Sequence, residues 1–165
     1  MVIHFVSNRY VLPEDPFNLD MIWWFLHDYN QEPSRRHSRL LNDIKYPDRD
    51  YASYHNLIGR DGENWELVHQ RYQAYHAGVS SYDGRNRCNR FMLGLGLVNK
   101  EDVDFTNDQY HEAAAQCGDW IKEHGFESEA IVGHDKVSPG RKHDPGPLFD
   151  WGRFHRLLAA RLRLT

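Results

Sequence analysis

A stretch of loop-forming sequence, residues 131–147, constrains this chain more than any other feature. The apolar residues 130–132 are typical of the end of a buried strand, which is expected to stop at Gly133. Two turns marked by Pro-Gly pairs follow, at 139–140 and at 145–147. Because proline fixes φ and glycine permits positive φ, the segment is expected to follow one firm path without regular hydrogen bonding.

Three polar side chains lie within this stretch. His134 comes directly after the expected strand stop, and Lys142 and Asp144 lie between the two turns. Taken one at a time, each of these residues is more typical of a solvated loop. Neutral imidazole and carboxylate oxygen are both good Zn²⁺ ligands, however, and their spacing in a rigid loop beside a strand end favours a metal site.

Length and charge exclude several classes of protein. The chain has 165 residues, so residues 1–165 are expected to form a single domain. Its net charge of −4 gives no electrostatic basis for binding nucleic acid. The longest apolar run, 21–26, is far shorter than the roughly 18 residues of a membrane span, so no stable membrane insertion is expected. No signal peptide is recognisable after Met1, which predicts a protein that is cytoplasmic as made.

Hydrophobic periodicity predicts an α/β fold, a single domain in which α-helices flank a central mixed β-sheet on both faces. Strands are expected near residues 2–6, 53–59, 64–68, 91–98 and 130–133, and long helices near 18–29, 106–124 and 149–162. Residues 106–109 have the sequence of a capping box, and Gly125 supplies a helix stop. The Asp-Gly pair at 61–62 predicts a hairpin turn. His4 is the one polar residue of the first strand, and such a histidine is more often structural than a ligand.

Two parts of the sequence resemble zinc-dependent N-acetylmuramoyl-L-alanine amidases. One is the Gly-His pair at 133–134 together with Asp-Pro-Gly-Pro at 144–147. The other, residues 74–80 with 84–89, is similar to the cytoplasmic branch of that family, which acts on anhydro-muramyl peptides. The resemblance implies an enzyme that cuts the amide between N-acetylmuramic acid and L-alanine, with peptidoglycan or a muropeptide as its partner.

The same resemblance implies a centre that holds one Zn²⁺. A histidine of the first strand is a ligand in that family, and the position falls on His4 here. His134 and Asp144 complete the ligand set, with water in the fourth place. His143, next to Asp144 in the chain, is the main rival ligand.

Catalytic roles also follow from the resemblance. Lys142 is assigned to the negative charge that develops on the carbonyl oxygen. Tyr54 aligns with the catalytic tyrosine of two branches of the family, the phage endolysins and the peptidoglycan-recognition proteins, where it would orient the attacking water. The other interpretation of Tyr54 is a sheet tyrosine packed on one face. The candidate substrate contacts are His76, Arg85, Arg87 and Asn89. Arginine forks match carboxylates, although a salt-bridged surface loop is an equally good interpretation of each arginine.

One position departs from the family pattern. The cytoplasmic branch, which recycles anhydro-muramyl peptides, has a catalytic glutamate where this chain has Gly96. Endolysins and peptidoglycan-recognition proteins lack that glutamate and use the tyrosine. The pair Tyr54 and Gly96 therefore favours a phage endolysin, expected to be a monomer that reaches the periplasm by holin-type release. Two alternatives stay open: a cytosolic recycling amidase for anhydro-muropeptides, and a catalytically silent peptidoglycan-binding protein.

Overall fold

The main sheet of the molecule has five strands. The structure is a computed structural model, and it describes residues 1–6 and 53–164. The sheet has the order β3-β2-β6-β1-β7, in which the strands are β1 (Val2–Val6), β2 (Asn56–Ile58), β3 (Asn64–Glu66), β6 (Gly94–Val98) and β7 (Val132–Gly133). Strand β3 runs antiparallel to β2, and the other neighbours are parallel, which confirms the predicted mixed sheet.

Three α-helices accompany the sheet in the described residues: α1 (Asn107–His124), α2 (His134–Val137) and α3 (Trp151–Arg163). The predicted capping box is present, since Thr106 accepts from the Gln109 N–H and the Gln109 side chain accepts from the Thr106 N–H. Gly125 ends α1 with φ of 68°, a left-handed conformation that favours glycine. The helix expected near residues 18–29 lies outside the described residues.

Several short elements were not predicted. They are a two-stranded hairpin, β4 (Ser81–Tyr82) with β5 (Arg85–Asn86), the four-residue helix α2, and two 3₁₀ turns at Cys88–Arg90 and Ser128–Ala130. Each is too short to show hydrophobic periodicity, which is the signal that sequence patterns supply. The expectations of one domain over residues 1–165 and of a monomer stay predictions.

Helices α1 and α3 cover one face of the sheet. Ile3 of β1 and Leu95 and Leu97 of β6 point toward that face and are fully buried. Phe154 and Leu158 of α3 meet them there. Burying a side chain of this size contributes about 1.5–3 kcal/mol, so this apolar face supplies much of the stability of the fold.

Strand alternation sends His4 to the opposite face. Its neighbour Val2 packs there in a second cluster that includes Val137 of α2, so helices lie on both faces as predicted. In the parallel pairing of β1 with β6, Val2 lies beside Gly94 and His4 beside Gly96. Because glycine has no Cβ, Gly94 leaves room on this face for the His76 ring. In the part of the chain covered by residues 1–6 and 53–164, no helix is long and apolar enough to cross a membrane.

Candidate metal centre

Three buried polar residues converge on this second face. The Nδ1 atom of His4 lies 2.9 Å from Nδ1 of His134 and 3.0 Å from Oδ2 of Asp144, and the His134–Asp144 distance is 3.1 Å. All three residues are at most 9% exposed. They come from the middle of β1, the first turn of α2 and the loop that follows α2. The structure therefore brings together the three residues predicted as metal ligands.

The loop that carries Asp144 is fastened to the strand end that carries His134. The N–H of Asp135 donates to the Asp144 carbonyl at 3.0 Å. A Cβ atom on Gly133 would lie 2.2 Å from the Asp135 carboxylate and 2.8 Å from Cδ of Pro145, so only glycine allows this close approach. The Asp144–Pro145 peptide bond is cis. The Gly and Pro positions that predicted a fixed loop thus hold the carboxylate against His134.

The donor atoms of the centre suit a metal cation. The Nε2 atom of His134 lies 3.1 Å from the Ala77 carbonyl, an acceptor, and 3.3 Å from the Arg141 guanidinium, a donor, so Nε2 is engaged outside the centre and Nδ1 is the nitrogen that faces it. Two Nδ1 atoms and a carboxylate oxygen within 3.1 Å of one another repel unless a proton or a metal ion lies between them. Burial lowers the pKa of His4 to about 4, so this imidazole resists protonation at neutral pH. A divalent cation is therefore the better occupant.

The electrostatics of Asp144 agree with that assignment. Burial alone would raise the pKa of its carboxyl, but the side chains of His134 and His4 outweigh burial and hold the pKa well below its usual range. The carboxylate is consequently charged at any physiological pH. Two imidazoles and one carboxylate match a catalytic zinc, which has three protein ligands and an open position, better than a structural zinc closed by four.

Tyr54 lies beside the centre. Its ring centroid is 5.1 Å from that of His4 with an edge-on orientation, and the residue is buried. Burial, and then the charge of Asp144, raises the pKa of its hydroxyl well above the ordinary value. The hydroxyl therefore stays protonated and is suited to donate a hydrogen bond, not to act as a base.

Lys142 also lies close to the three residues. It is half-buried, and its main-chain N–H donates to the Ser138 carbonyl at 3.1 Å. Burial is the main cause of the lowered pKa of His4, and the positive charge of Lys142 is a smaller cause. The Lys142 ammonium therefore lies within electrostatic reach of the centre. The rival ligand His143 is exposed and is not part of the cluster, so the structure favours Asp144.

The structure corrects the prediction that His76 contacts substrate. His76 is 4% exposed and lies behind His4, with its Nδ1 3.2 Å from Nε2 of His4. Its Nε2 lies 2.9 Å from the Met92 carbonyl. Both ring nitrogens are thus engaged inside the protein, and His76 supports a ligand of the centre.

Asn89 and Arg85 make contacts within the protein that the sequence did not predict. The Oδ1 atom of Asn89 accepts from the N–H groups of His76 and Ala77 at 3.1 and 2.7 Å, so Asn89 braces the main chain. The Arg85 guanidinium lies over the Phe91 ring, 4.0 Å from its centroid. Both residues line a cavity of about 650 Å³ whose walls contain none of the three clustered residues. Their roles in binding substrate stay predictions.

Arg87 is the remaining candidate substrate contact. It is exposed at the start of a 3₁₀ turn with φ of 67°, and its N–H donates to the Ser80 carbonyl at 2.8 Å. The guanidinium is open to solvent on the loop that follows His76 and Ala77. Its role in binding substrate stays a prediction.

Sequence reasoning did not identify Arg141 or Gly94. The Arg141 guanidinium donates to the carbonyls of Ala77 and Val79 and lies 3.3 Å from Nε2 of His134, so it fastens the loop at 77–79 to the centre. A Cβ on Gly94 would lie 2.4 Å from the His76 ring. The alternating glycines of β6 were the available signal, because glycine inside a strand often marks close approach of another group.

Comparison with known proteins agrees with the geometry. Residues 18–147 match the family described as N-acetylmuramoyl-L-alanine amidase. The 1,6-anhydro-N-acetylmuramyl-L-alanine amidase AmpD of Salmonella typhimurium is 43% identical over 108 residues, which are 66% of this chain and 58% of that protein. The chain thus spans a little more than half the length of the curated relatives that it matches.

Solved structures give the same result for the fold. A crystal structure of a selenomethionine derivative of AmpD has a TM-score of 0.73 and 35% identity, over 95% of this chain and 82% of that chain. An endolysin amidase, LysCS from Clostridium intestinale, has a TM-score of 0.60 over 96% of this chain and 81% of that chain, but only 16% identity. The similarity to the endolysin therefore concerns the fold alone.

Proposed function

The chain belongs to the N-acetylmuramoyl-L-alanine amidase family, and from that premise we propose that it hydrolyses the amide bond between N-acetylmuramic acid and L-alanine. The observation that carries the proposal is the convergence of His4, His134 and Asp144 beside Tyr54. The proposed substrates are 1,6-anhydro-muropeptides, because the relative at 43% identity is named for that substrate class.

The comparisons do not support the endolysin interpretation that the sequence favoured. Tyr54 and Gly96 suggested it, yet in comparisons of whole structures an endolysin amidase shares only 16% identity with this chain, against 35% for AmpD. The expected holin-type release loses its basis together with that interpretation. A cytoplasmic location stays a prediction.

We assign Zn²⁺ as the metal and His4, His134 and Asp144 as its ligands. The family is generally zinc-dependent, and two imidazoles with one carboxylate are a common catalytic zinc set. When bound, zinc supplies a Lewis acid that polarises the scissile carbonyl and makes water a stronger nucleophile at neutral pH. The protein side chains carry the remaining work of positioning and charge stabilisation.

Lys142 is the residue that we assign to the developing negative charge on the carbonyl oxygen. It lies two residues before Asp144 on the loop that Gly133 and Pro145 hold in place. A positioned cation in a partly buried site stabilises an oxyanion without reorganising during the reaction. The loop therefore provides a metal ligand and the charge stabiliser on one short segment.

Tyr54 is assigned to the attacking water. Because burial raises the pKa of its hydroxyl, the phenol cannot accept the water's proton at neutral pH and acts instead as a hydrogen-bond donor that orients the water. Gly96, beside His4 in the sheet, supplies no carboxylate to take over this role. Arg87, exposed on the loop that follows Ala77, is proposed to pair with a carboxylate of the stem peptide.

A cleavage assay tests the proposed function. Zinc-loaded protein is incubated with soluble anhydro-muropeptide and, separately, with intact sacculi, and the products are identified by mass spectrometry. We expect the soluble substrate to yield anhydro-N-acetylmuramic acid and free peptide, and the matched His134→Ala variant to yield neither.

Two other outcomes have defined meanings. Preferential cleavage of sacculi would restore the endolysin interpretation. Binding of zinc and muropeptide without any cleavage would make the chain a peptidoglycan-binding protein, the alternative that Gly96 leaves open because glycine supplies no catalytic carboxylate.

A further inference from the structure

His76 is a buried histidine whose two ring nitrogens both have partners of known polarity. Its Nε2 lies 2.9 Å from the Met92 carbonyl, and its Nδ1 lies 3.2 Å from Nε2 of His4. The rings of His76 and His4 meet edge to face, with their centroids 5.3 Å apart. His76 itself is not one of the three clustered residues.

When a cation lies among the three clustered residues, the polarity of these contacts has one consistent solution. A carbonyl oxygen only accepts, so the Met92 carbonyl requires a proton on Nε2 of His76. The Nδ1 atom of a neutral His76 then keeps its lone pair and accepts a proton from Nε2 of His4. His4, neutral in turn, is left with a lone pair on Nδ1, the atom that lies 3.0 Å from Asp144.

We propose that His76 is a positioning residue that holds His4 in the tautomer whose Nδ1 binds the metal. The inference deepens the proposed function and rests on the assignment of His4 as a zinc ligand. An imidazole ligand has two tautomers, and the hydrogen bond at its distal nitrogen decides which one is present. His134 likewise turns its Nδ1 toward the centre, with its Nε2 3.1 Å from the Ala77 carbonyl.

The surroundings of His76 fix its ring in place. A Cβ atom on Gly94 would lie 2.4 Å from the ring, so the ring occupies space that any other residue at position 94 would fill. The Asn89 side chain holds the N–H groups of His76 and Ala77 from the other side. His76 therefore cannot turn its ring away without breaking these contacts.

His55 provides a matched control. It is 2% exposed, and its ring centroid lies 5.9 Å from that of His76. Its Nε2 is 3.0 Å from the Tyr72 carbonyl, and its Nδ1 accepts from the Gly94 N–H at 2.9 Å. His55 is thus a buried histidine near His76 whose hydrogen bonds go to main-chain groups and not to a proposed ligand.

The first test is the zinc affinity of the protein without substrate, measured by competition with a chromophoric chelator. His76→Leu should weaken zinc binding by roughly 10- to 100-fold, the usual effect of removing the outer partner of a ligating histidine. His76→Asn should lose less, because its side-chain oxygen can accept from His4 near the position of the lost Nδ1. His55→Leu should bind zinc within about threefold of wild type.

The second test is the tautomer of His4 in metal-free protein, read from the ¹⁵N shifts of its ring in selectively labelled samples. In that state Asp144 favours a proton on Nδ1 and His76 favours one on Nε2, so wild type should show a clearly larger fraction of the form protonated on Nε2 than His76→Leu. Wild-type zinc affinity and an unchanged His4 tautomer in folded His76→Leu would overturn the inference. An equal loss of affinity in His55→Leu would also overturn it, since a general structural defect would then suffice.

These outcomes are separate from failure of the proposed function. A protein that binds zinc with the expected dependence on His76 but never cleaves muropeptide would retain the inference and lose the amidase proposal. Conversely, if wild type cleaves muropeptide and the His4 tautomer is the same in wild type and His76→Leu, the amidase proposal stands and the inference fails.

Discussion

The two faces of the sheet are built from the same strands but by different physical means. Strand β1 contributes Ile3 to the apolar cluster under α1 and α3, and one residue later it contributes His4 to the polar centre. The apolar face is filled by aliphatic and aromatic side chains. Beyond the small cluster around Val2, the opposite face holds buried imidazoles and a carboxylate, each with defined partners.

The difference shows where each face obtains its specificity. Hydrophobic burial is non-directional and roughly proportional to area, so the apolar face tolerates any well-fitting side chain. Buried polar groups cost free energy unless each has a partner in good geometry, so the polar face depends on particular atoms. Substitutions on the apolar face should therefore change stability and leave zinc binding intact, whereas substitutions beside the centre should do the opposite.

The largest effect is expected on the apolar face. Phe154 of α3 is fully buried among the aromatic rings of Phe149 and Trp151. Phe154→Ala should lower the free energy of unfolding by about 3–5 kcal/mol, because it removes a large apolar side chain and leaves a cavity. Chemical denaturation measures this loss. The folded fraction should still bind zinc as wild type does; weakened zinc binding in that fraction would show that the faces are not independent.

Lys142→Ala should give the next largest effect, this time on catalysis. Removing one preorganised donor to an oxyanion costs roughly 10²–10³ in kcat, or about 2.7–4 kcal/mol. Stopped-time cleavage assays with anhydro-muropeptide measure the rate, and metal analysis should find the zinc content unchanged. Retention of wild-type kcat would remove Lys142 from the mechanism.

Tyr54→Phe should have a smaller effect. It removes one neutral hydrogen bond to the attacking water, worth about 0.5–1.5 kcal/mol, so kcat should fall by roughly threefold to tenfold with little change in substrate binding. Because burial keeps the pKa of the Tyr54 hydroxyl above its ordinary value, kcat should vary with pH in the same way in both proteins between about pH 6 and 9. If kcat of wild type changed at basic pH and this change were absent in Tyr54→Phe, the tyrosine would act as a base after all.

The smallest expected effect is at the start of α1. Thr106→Ala removes the side-chain acceptor that caps the Gln109 N–H at 3.1 Å. Loss of such a cap costs about 1 kcal/mol of stability. Thermal unfolding should show a modest decrease in Tm, and both zinc content and kcat should match wild type. A change in kcat would reveal coupling between α1 and the centre.

The sequence identified the features that local rules control. The capping box and Gly125 gave the ends of α1, and the Pro-Gly turns indicated the loop that holds Asp144. The ligand set required the family resemblance as well, because His4 taken alone looks like a structural histidine.

Contacts between segments distant in the chain were not predictable. His76 lies 72 positions from His4, and its place behind that residue depends on how β6 and the loop at 76–79 pack together. Asn89 looked like a substrate contact because its loop resembles a binding loop, yet its side chain is used to brace the main chain. Polar residues near a site can thus be assigned to its neighbourhood from sequence, but their roles depend on which atoms they contact.

The zinc content of His134→Ala tests the central claim most directly. Wild-type protein dialysed against zinc and then against buffer should retain one equivalent by atomic emission, held on the polar face by His4, His134 and Asp144. His134→Ala should retain far less than one equivalent while staying folded, because two ligands do not make a stable catalytic zinc site. Full zinc occupancy in His134→Ala would contradict the assignment of the centre.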